Sequence, residues 1–157
     1  MAVIALHDIK TSLPKGKRLM GIDHGSKTWG LAISNPDLTI ATPLKTIHRS
    51  KFSVDVKTLA GICAEYGVAG FIIGLPLGMD GQEGPRVDSV RHFGDNLMAA
   101  KNILGFDPLI AFFDERLSTY AVEDFLNEHT KLSREKRDKI IDQLAAQVIL
   151  QGALEKL

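Results

Sequence analysis

Three acidic residues stand far apart in this chain, each where an apolar segment turns polar. Asp23 ends the run Leu19-Met20-Gly21-Ile22, Glu115 closes Leu109-Ile110-Ala111-Phe112-Phe113-Asp114, and Asp142 follows Ile140-Ile141. A carboxylate on a central strand costs on the order of several kcal/mol in desolvation unless a cation or hydrogen bonds compensate it. Carboxylates gathered from two strand ends and a helix make an all-oxygen donor set, which suits hard cations such as Mg²⁺ or Mn²⁺. Three of them admit two divalent ions roughly 4 Å apart, one activating water and the other stabilising the leaving oxygen of a phosphodiester.

Each acid also has a plainer role. Asp23 can brace the turn at Gly25, Glu115 can pair with Arg116, and Asp142 can complement the dipole in the first turn of a helix. Side-chain alternation puts Asp114 and Glu115 on opposite faces of their strand, so at most one of them points with Asp23. Asp142 shares a helical face with Ala145, Ala146 and Ile149, and the two alanines permit close approach to a sheet.

Groups suited to phosphate surround these acids. Ser26, Lys27 and Thr28 follow Asp23 directly, and the glycine-rich segment Asp80-Gly81-Gln82-Glu83-Gly84-Pro85-Arg86 leads to Arg91 and a helix start that can hold an anion. Between Lys131 and Lys139 five basic residues outnumber Glu135 and Asp138; a solvated helix start explains them as well as phosphate contact does. The five histidines are scattered and form no zinc cluster with the lone Cys63. Each reads as a surface or structural residue rather than a ligand; His24, beside Asp23, is the partial exception that could also take a direct role. Cys63 lies in a helical apolar run, where a thiol packs as a small hydrophobe.

The elements that must position these groups read in order. Residues 1–17 form an arm, because Pro14 and Gly16 break the chain before the first strong strand. Strands are expected over Leu19 to Asp23, Trp29 to Ser34 and Thr39 to Ile47, opening the fold as a meander. A helix over Val54 to Tyr66 and a buried strand over Gly70 to Gly74 follow. Leu75 to Pro85 reads as a loop and Val87 to Lys101 as a second helix. A strand at Leu109 to Phe113 and helices over Ala121 to Glu128 and Asp138 to Lys156 complete the chain. Strands that first meander and then alternate with helices predict an α/β fold, a mixed five-stranded sheet with helices on both faces. Residues 18–157 are expected to form one domain.

The 157 residues carry nineteen basic and nineteen acidic side chains, so attraction to a polyanion must come from local clusters. No apolar run approaches the roughly 20 residues of a membrane span, and the start lacks the pattern of a signal peptide. A single cysteine fits a reducing cytoplasm.

At several ordered motifs the chain resembles the YqgF family of ribonuclease H-like proteins, described as pre-16S rRNA nucleases and formerly as Holliday junction resolvases. The likeness runs from about Arg18 to Leu154. It rests on Gly21-Ile22-Asp23-His24-Gly25-Ser26-Lys27, Ala41-Thr42-Pro43-Leu44, Gly74-Leu75-Pro76-Leu77-Gly78-Met79-Asp80-Gly81, Gly84-Pro85-Arg86, Asp114-Glu115-Arg116-Leu117-Ser118-Thr119 and Asp142-Gln143-Leu144-Ala145-Ala146. The resemblance implies a ribonuclease H-like fold with Asp23, Glu115 and Asp142 as the acidic triad for Mg²⁺ or Mn²⁺, two ions in all. By the same matching Arg116 and Lys139 face phosphate, beside Lys27 and Arg86. His24 stands where the family usually has an aromatic residue and Trp29 where it has a smaller one; both bear on the shape of the pocket. The arm has no counterpart in the shortest members.

The function implied is a metal-dependent nuclease, processing the 5′ end of pre-16S rRNA in ribosome biogenesis. Structured RNA is then the favoured partner, with junction DNA as the alternative substrate. Ribosome assembly particles are candidate partners, and the chain acts as a monomer or homodimer. A non-catalytic nucleic-acid-binding factor is a rival reading. Actin-like ATPases share a similar phosphate-binding hairpin, but they enclose ATP with two lobes and this chain supplies one.

Overall fold

The computed structural model describes residues 3–76, 84–114 and 134–157, with side chains from Ile140 onward in the last stretch. The expected helix over Ala121 to Glu128 and most of the expected Leu75 to Pro85 loop lie outside the described residues. Five strands form one sheet: β1 (Arg18–His24), β2 (Thr28–Ser34), β3 (Ala41–His48), β4 (Val68–Leu75) and β5 (Leu109–Asp114). Their order is β3-β2-β1-β4-β5, antiparallel from β3 through β1 and parallel from β1 to β5. This is the mixed sheet expected from the sequence, a meander extended on one side by parallel strands.

Helices cover both faces. On one face α2 (Phe52–Tyr66), α3 (Pro85–Ala99) and the short α4 (Lys101–Leu104) pack Val56, Leu59, Val90, Phe93 and Leu97 against Met20, Ile22, Phe71 and Ile73. On the other face α1 (Leu6–Ser12) and α5 (Arg134–Leu154) set Ile9, Ala146, Ile149 and Leu150 against Leu19, Ala32 and Ile72. β4 is buried along its whole length, which explains why its sequence is a continuous apolar run rather than an alternating one. α2 stops at Gly67, whose φ of 71° is the left-handed conformation that closes a helix cheaply in glycine. Asp55 is a buried acid of a different kind: Ser50 donates to it from backbone N at 2.9 Å and from Oγ at 2.8 Å, so it fixes the start of α2.

The expected arm is anchored in its described part. Val3 and Ile4 pair with Ile110 of β5, where Ile4 N donates to Ile110 O at 2.9 Å, and the fully buried Ile9 packs α1 onto the sheet face. β3 starts at Ala41 rather than Thr39. Asn35 Oδ1 accepts from the backbone N of Thr39 at 2.8 Å and of Ile40 at 3.0 Å, holding the preceding residues in a turn. The last helix starts earlier than expected, at Arg134 instead of Asp138, because a run of Arg, Glu and Lys has strong helix propensity without an apolar stripe. Asp142 therefore lies more than two turns inside α5, and its expected alternative as a first-turn dipole partner is excluded.

Candidate functional site

Strand register decides which face each acid uses. Asp23 pairs with Gly30, and Gly30 with Thr46, so the three form a row across β1, β2 and β3. Leu19 and Gly21 point to the α5 side, and alternation sends Asp23 with them. A Cβ on Gly30 would run into the backbone carbonyl of Asp142, and one on Gly21 would lie 2.7 Å from Ala146 O. Bare backbone at these two positions lets α5 press directly on the sheet. Ala145 and Ala146, both fully buried, extend that close contact.

The consequence is that Asp142 arrives beside Asp23. Thr28 Oγ1 donates to Asp142 Oδ2 at 2.7 Å and fixes that carboxylate from the first residue of β2. Burial pushes the Asp23 carboxyl up to about 6 from its ordinary 3.8; the neighbouring Asp142 raises it further and Arg86 opposes the rise. Two carboxylates and a hydroxyl thus meet in an oxygen-only set, a chemistry that could hold a hard cation. Among the described residues no larger group of His, Cys, Asp and Glu is gathered as a metal site. Glu115 and Arg116 lie outside the described residues, as does the side chain of Lys139. In β5, Gly94 of α3 packs on Phe112 and Gly152 of α5 on Phe113, so alternation sends Asp114 to the α3 face, away from Asp23.

A cleft of about 660 Å³ opens over this pair, lined by Asp23, Asp142, Lys27, Arg49, Arg86 and Ser89 among others. Lys27 and Arg86, both expected at a phosphate site, share it. Arg86 stands in the first turn of α3, where Pro85 occupies the first helical position.

Two further residues shape the site: His24 takes the structural part that was its plainer reading, and Arg49 takes one that the sequence did not reveal. His24, a candidate for a direct role, points to the other face of β1. Its ring lies 4.4 Å from that of Phe93 and 6.5 Å from Trp29, in a cluster that continues to Phe52. Burial, then Arg49 and Arg86, lower its pKa from 6.5 to about 4, so it is neutral and part of the aromatic wall. Arg49 follows β3 with no motif around it, and it braces the β1–β2 turn: Nη1 donates to Gly25 O at 2.7 Å and to Ser26 O at 3.2 Å. The only sequence signal is general, that the carbonyls of a tight turn require donors. Cys63 is buried, with its thiol pushed up to about 12, as expected for a packing residue rather than a nucleophile.

Comparison with known proteins agrees with the motifs. The family model described as "RuvX: Holliday junction resolvase" matches residues 17–156. A protein of Rhodospirillum centenum named "Putative pre-16S rRNA nuclease" is 48% identical over 157 residues, covering 100% of this chain and 83% of that one. One of Caulobacter vibrioides with the same name is 43% identical over 157 residues, covering 100% and 98%. Among solved structures, Thermus thermophilus RuvC in complex with Holliday junction substrate aligns with a TM-score of 0.46 and 11% identity, covering 85% of this chain and 91% of that one. The match to the family model and the identity along the full chain place this protein in the RuvX family.

Proposed function

We propose that the protein is a nuclease that hydrolyses phosphodiester bonds with Mg²⁺ or Mn²⁺, probing structured RNA first and junction DNA as the alternative. The observation that carries this reading is that Asp23 and Asp142, the latter bonded to Thr28, interact in one cleft that Lys27, Arg49 and Arg86 also line. Half-buried acids sharing a cleft with cationic side chains suit a substrate that is itself anionic and needs a metal at its reacting centre.

In this reading Asp23 and Asp142 hold the cation, with Glu115 as the third ligand and two ions as the full complement. Bound there, the metal supplies Lewis-acid stabilisation of developing negative charge and activation of the attacking water. The chain's own residues position the substrate. Lys27 and Arg86, which share the cleft, hold backbone phosphates, with Arg116 and Lys139 as further contacts. Thr28 orients the Asp142 carboxylate, as partners behind a metal ligand do. His24, neutral against Phe93, shapes the wall without moving a proton.

The names of the relatives support pre-16S rRNA as the substrate, hence a place in 5′-end processing during ribosome biogenesis in the cytoplasm, on assembly particles. No described helix is long and apolar enough to cross a membrane. The family description supports junction DNA as the second reading. The deciding experiment offers wild type and Asp23→Asn a labelled precursor rRNA fragment and a four-way DNA junction, each with Mg²⁺, Mn²⁺ or EDTA. Metal-dependent cutting lost in the variant is expected, with RNA preferred. Binding without cutting by the wild type would instead favour a non-catalytic binding factor.

A further inference from the structure

Arg49 makes three hydrogen bonds to successive carbonyls at the tip of the β1–β2 hairpin. Its backbone N donates to Lys27 O at 2.9 Å, and its guanidinium Nη1 donates to Gly25 O at 2.7 Å and Ser26 O at 3.2 Å. The tip is closed from within by Gly25 N donating to Thr28 O at 2.9 Å. No described peptide bond is cis. A trans peptide carries its N–H on the side opposite its C=O. Drawing the Gly25 and Ser26 carbonyls towards Arg49 therefore turns the N–H groups of Ser26 and Lys27 to the other side of the tip. Successive N–H groups presented together form a concavity that binds anions, and here the Lys27 side chain adds a positive charge to the same turn.

We propose that Arg49 is a positioning residue that shapes the Gly25–Lys27 turn into a seat for a backbone phosphate adjacent to the one being cleaved. This rests on reading the cleft as a nuclease site. The planar guanidinium is suited to the task because one nitrogen bridges two carbonyls in a fixed geometry, which a flexible ammonium does not reproduce. Arg49 is exposed and anchors no core packing, so its replacement leaves the fold intact.

The test compares full-length wild type, Arg49→Ala and Arg49→Lys in two arms. In the first, the Ser26 and Lys27 amide resonances are followed by NMR as inorganic phosphate is added. Both amides are expected to shift in the wild type and to respond only weakly in either variant. In the second, steady-state cleavage of the precursor rRNA fragment is measured. KM is expected to rise about tenfold in both variants while kcat changes less than about threefold, the pattern of lost substrate binding. Arg49→Lys matching the wild type in both arms would reduce Arg49 to a positive charge and overturn the proposal. So would amide responses to phosphate that are equal with and without Arg49. The phosphate arm needs no catalysis: a wild type that fails to cleave rejects the nuclease reading, and the amide response still decides the role of Arg49.

Discussion

The backbone carbonyl of Asp142 occupies the space that a side chain on Gly30 would need. Because Gly30 pairs with Asp23 across the hairpin, this one contact sets how close the two acids come. Gly30→Ala must push α5 outward, since the obstructing atom is backbone and cannot rotate away. The expected cost is about 1–3 kcal/mol or more from overpacking. Cleavage should fall by about a hundredfold because Asp142 is displaced. Gly61 is the control: an added Cβ there meets nothing within 4 Å, on an exposed face inside α2. Gly61→Ala should stabilise by about 0.5–1 kcal/mol and leave cleavage unchanged. Thermal melts with activity assays on both variants check the pair, and an active, stable Gly30→Ala protein would refute the packing argument.

A comb of glutamines holds α5 along the outer edge of the sheet. Gln143 Nε2 donates to Thr46 Oγ1 at 3.2 Å, Gln147 Nε2 to Ala41 O at 3.0 Å, and Gln151 Nε2 to Thr39 O at 3.0 Å, while Gln151 Oε1 accepts from Ala41 N at 2.9 Å. Spaced four apart, the three lie on one side of the helix and run along β3 from Thr46 back to the residues that precede the strand. Gln151→Leu removes a donor and an acceptor at once and should cost about 1–3 kcal/mol. Amide hydrogen exchange at Ala41 should accelerate in the variant. Unchanged protection there would show that the strand is held without the glutamine.

How much of this was legible beforehand follows from what each residue must satisfy. β1, β2 and β4 announce themselves because strands buried by helices on both sides carry unbroken apolar runs. That Asp142 faces the sheet was readable because Ala145, Ala146 and Ile149 share its face. Its distance from the helix start was not read, since the charged residues before it carry no apolar periodicity to mark a helix. Gly30 looked like any strand glycine; its reason lies in a helix more than a hundred residues later. Arg49 was invisible because its partners are backbone carbonyls, which every sequence has. For His24 the structural reading prevails over the direct one, because adjacency to Asp23 in a strand means the opposite face.

That opposition gives a pH signature. Asp23 keeps its proton up to about 6 when folded, against an ordinary 3.8, so the folded state binds more protons between those values. Ionising it costs on the order of 2 to 3 kcal/mol, and its effect alone is to make the protein more stable as pH falls from 6 towards 4. His24 titrates at about 4 when folded against 6.5, so the unfolded chain binds more protons in that window and His24 favours unfolding as pH falls through it. The two slopes oppose each other over nearly the same range. In metal-free buffer Asp23→Asn should therefore melt higher than wild type at pH 7, and the gap should close below about pH 4, where Asp23 is protonated and resembles Asn. Differential melts across pH 3.5–7.5 read this directly; a gap independent of pH would mean that Asp23 is not a strained carboxylate.

The strain at Asp23 is what a cation would relieve. Adding Mg²⁺ or Mn²⁺ at pH 7 should raise the melting temperature of the wild type, by an amount equivalent to about 2.7 kcal/mol when the metal is a hundredfold above its Kd. The gain should shrink at pH 5, because a proton on Asp23 competes with the metal. Asp23→Asn and Asp142→Asn should each lose most of the shift. Thr28→Val is the finer test: it keeps both carboxylates but removes the 2.7 Å hydrogen bond that orients Asp142. Metal affinity should then fall about 10- to 100-fold, the usual effect of removing a group that holds a ligand in place. Titration calorimetry measures that affinity without reference to cleavage, and an undiminished Kd in Thr28→Val would remove Thr28 from the machinery of the site.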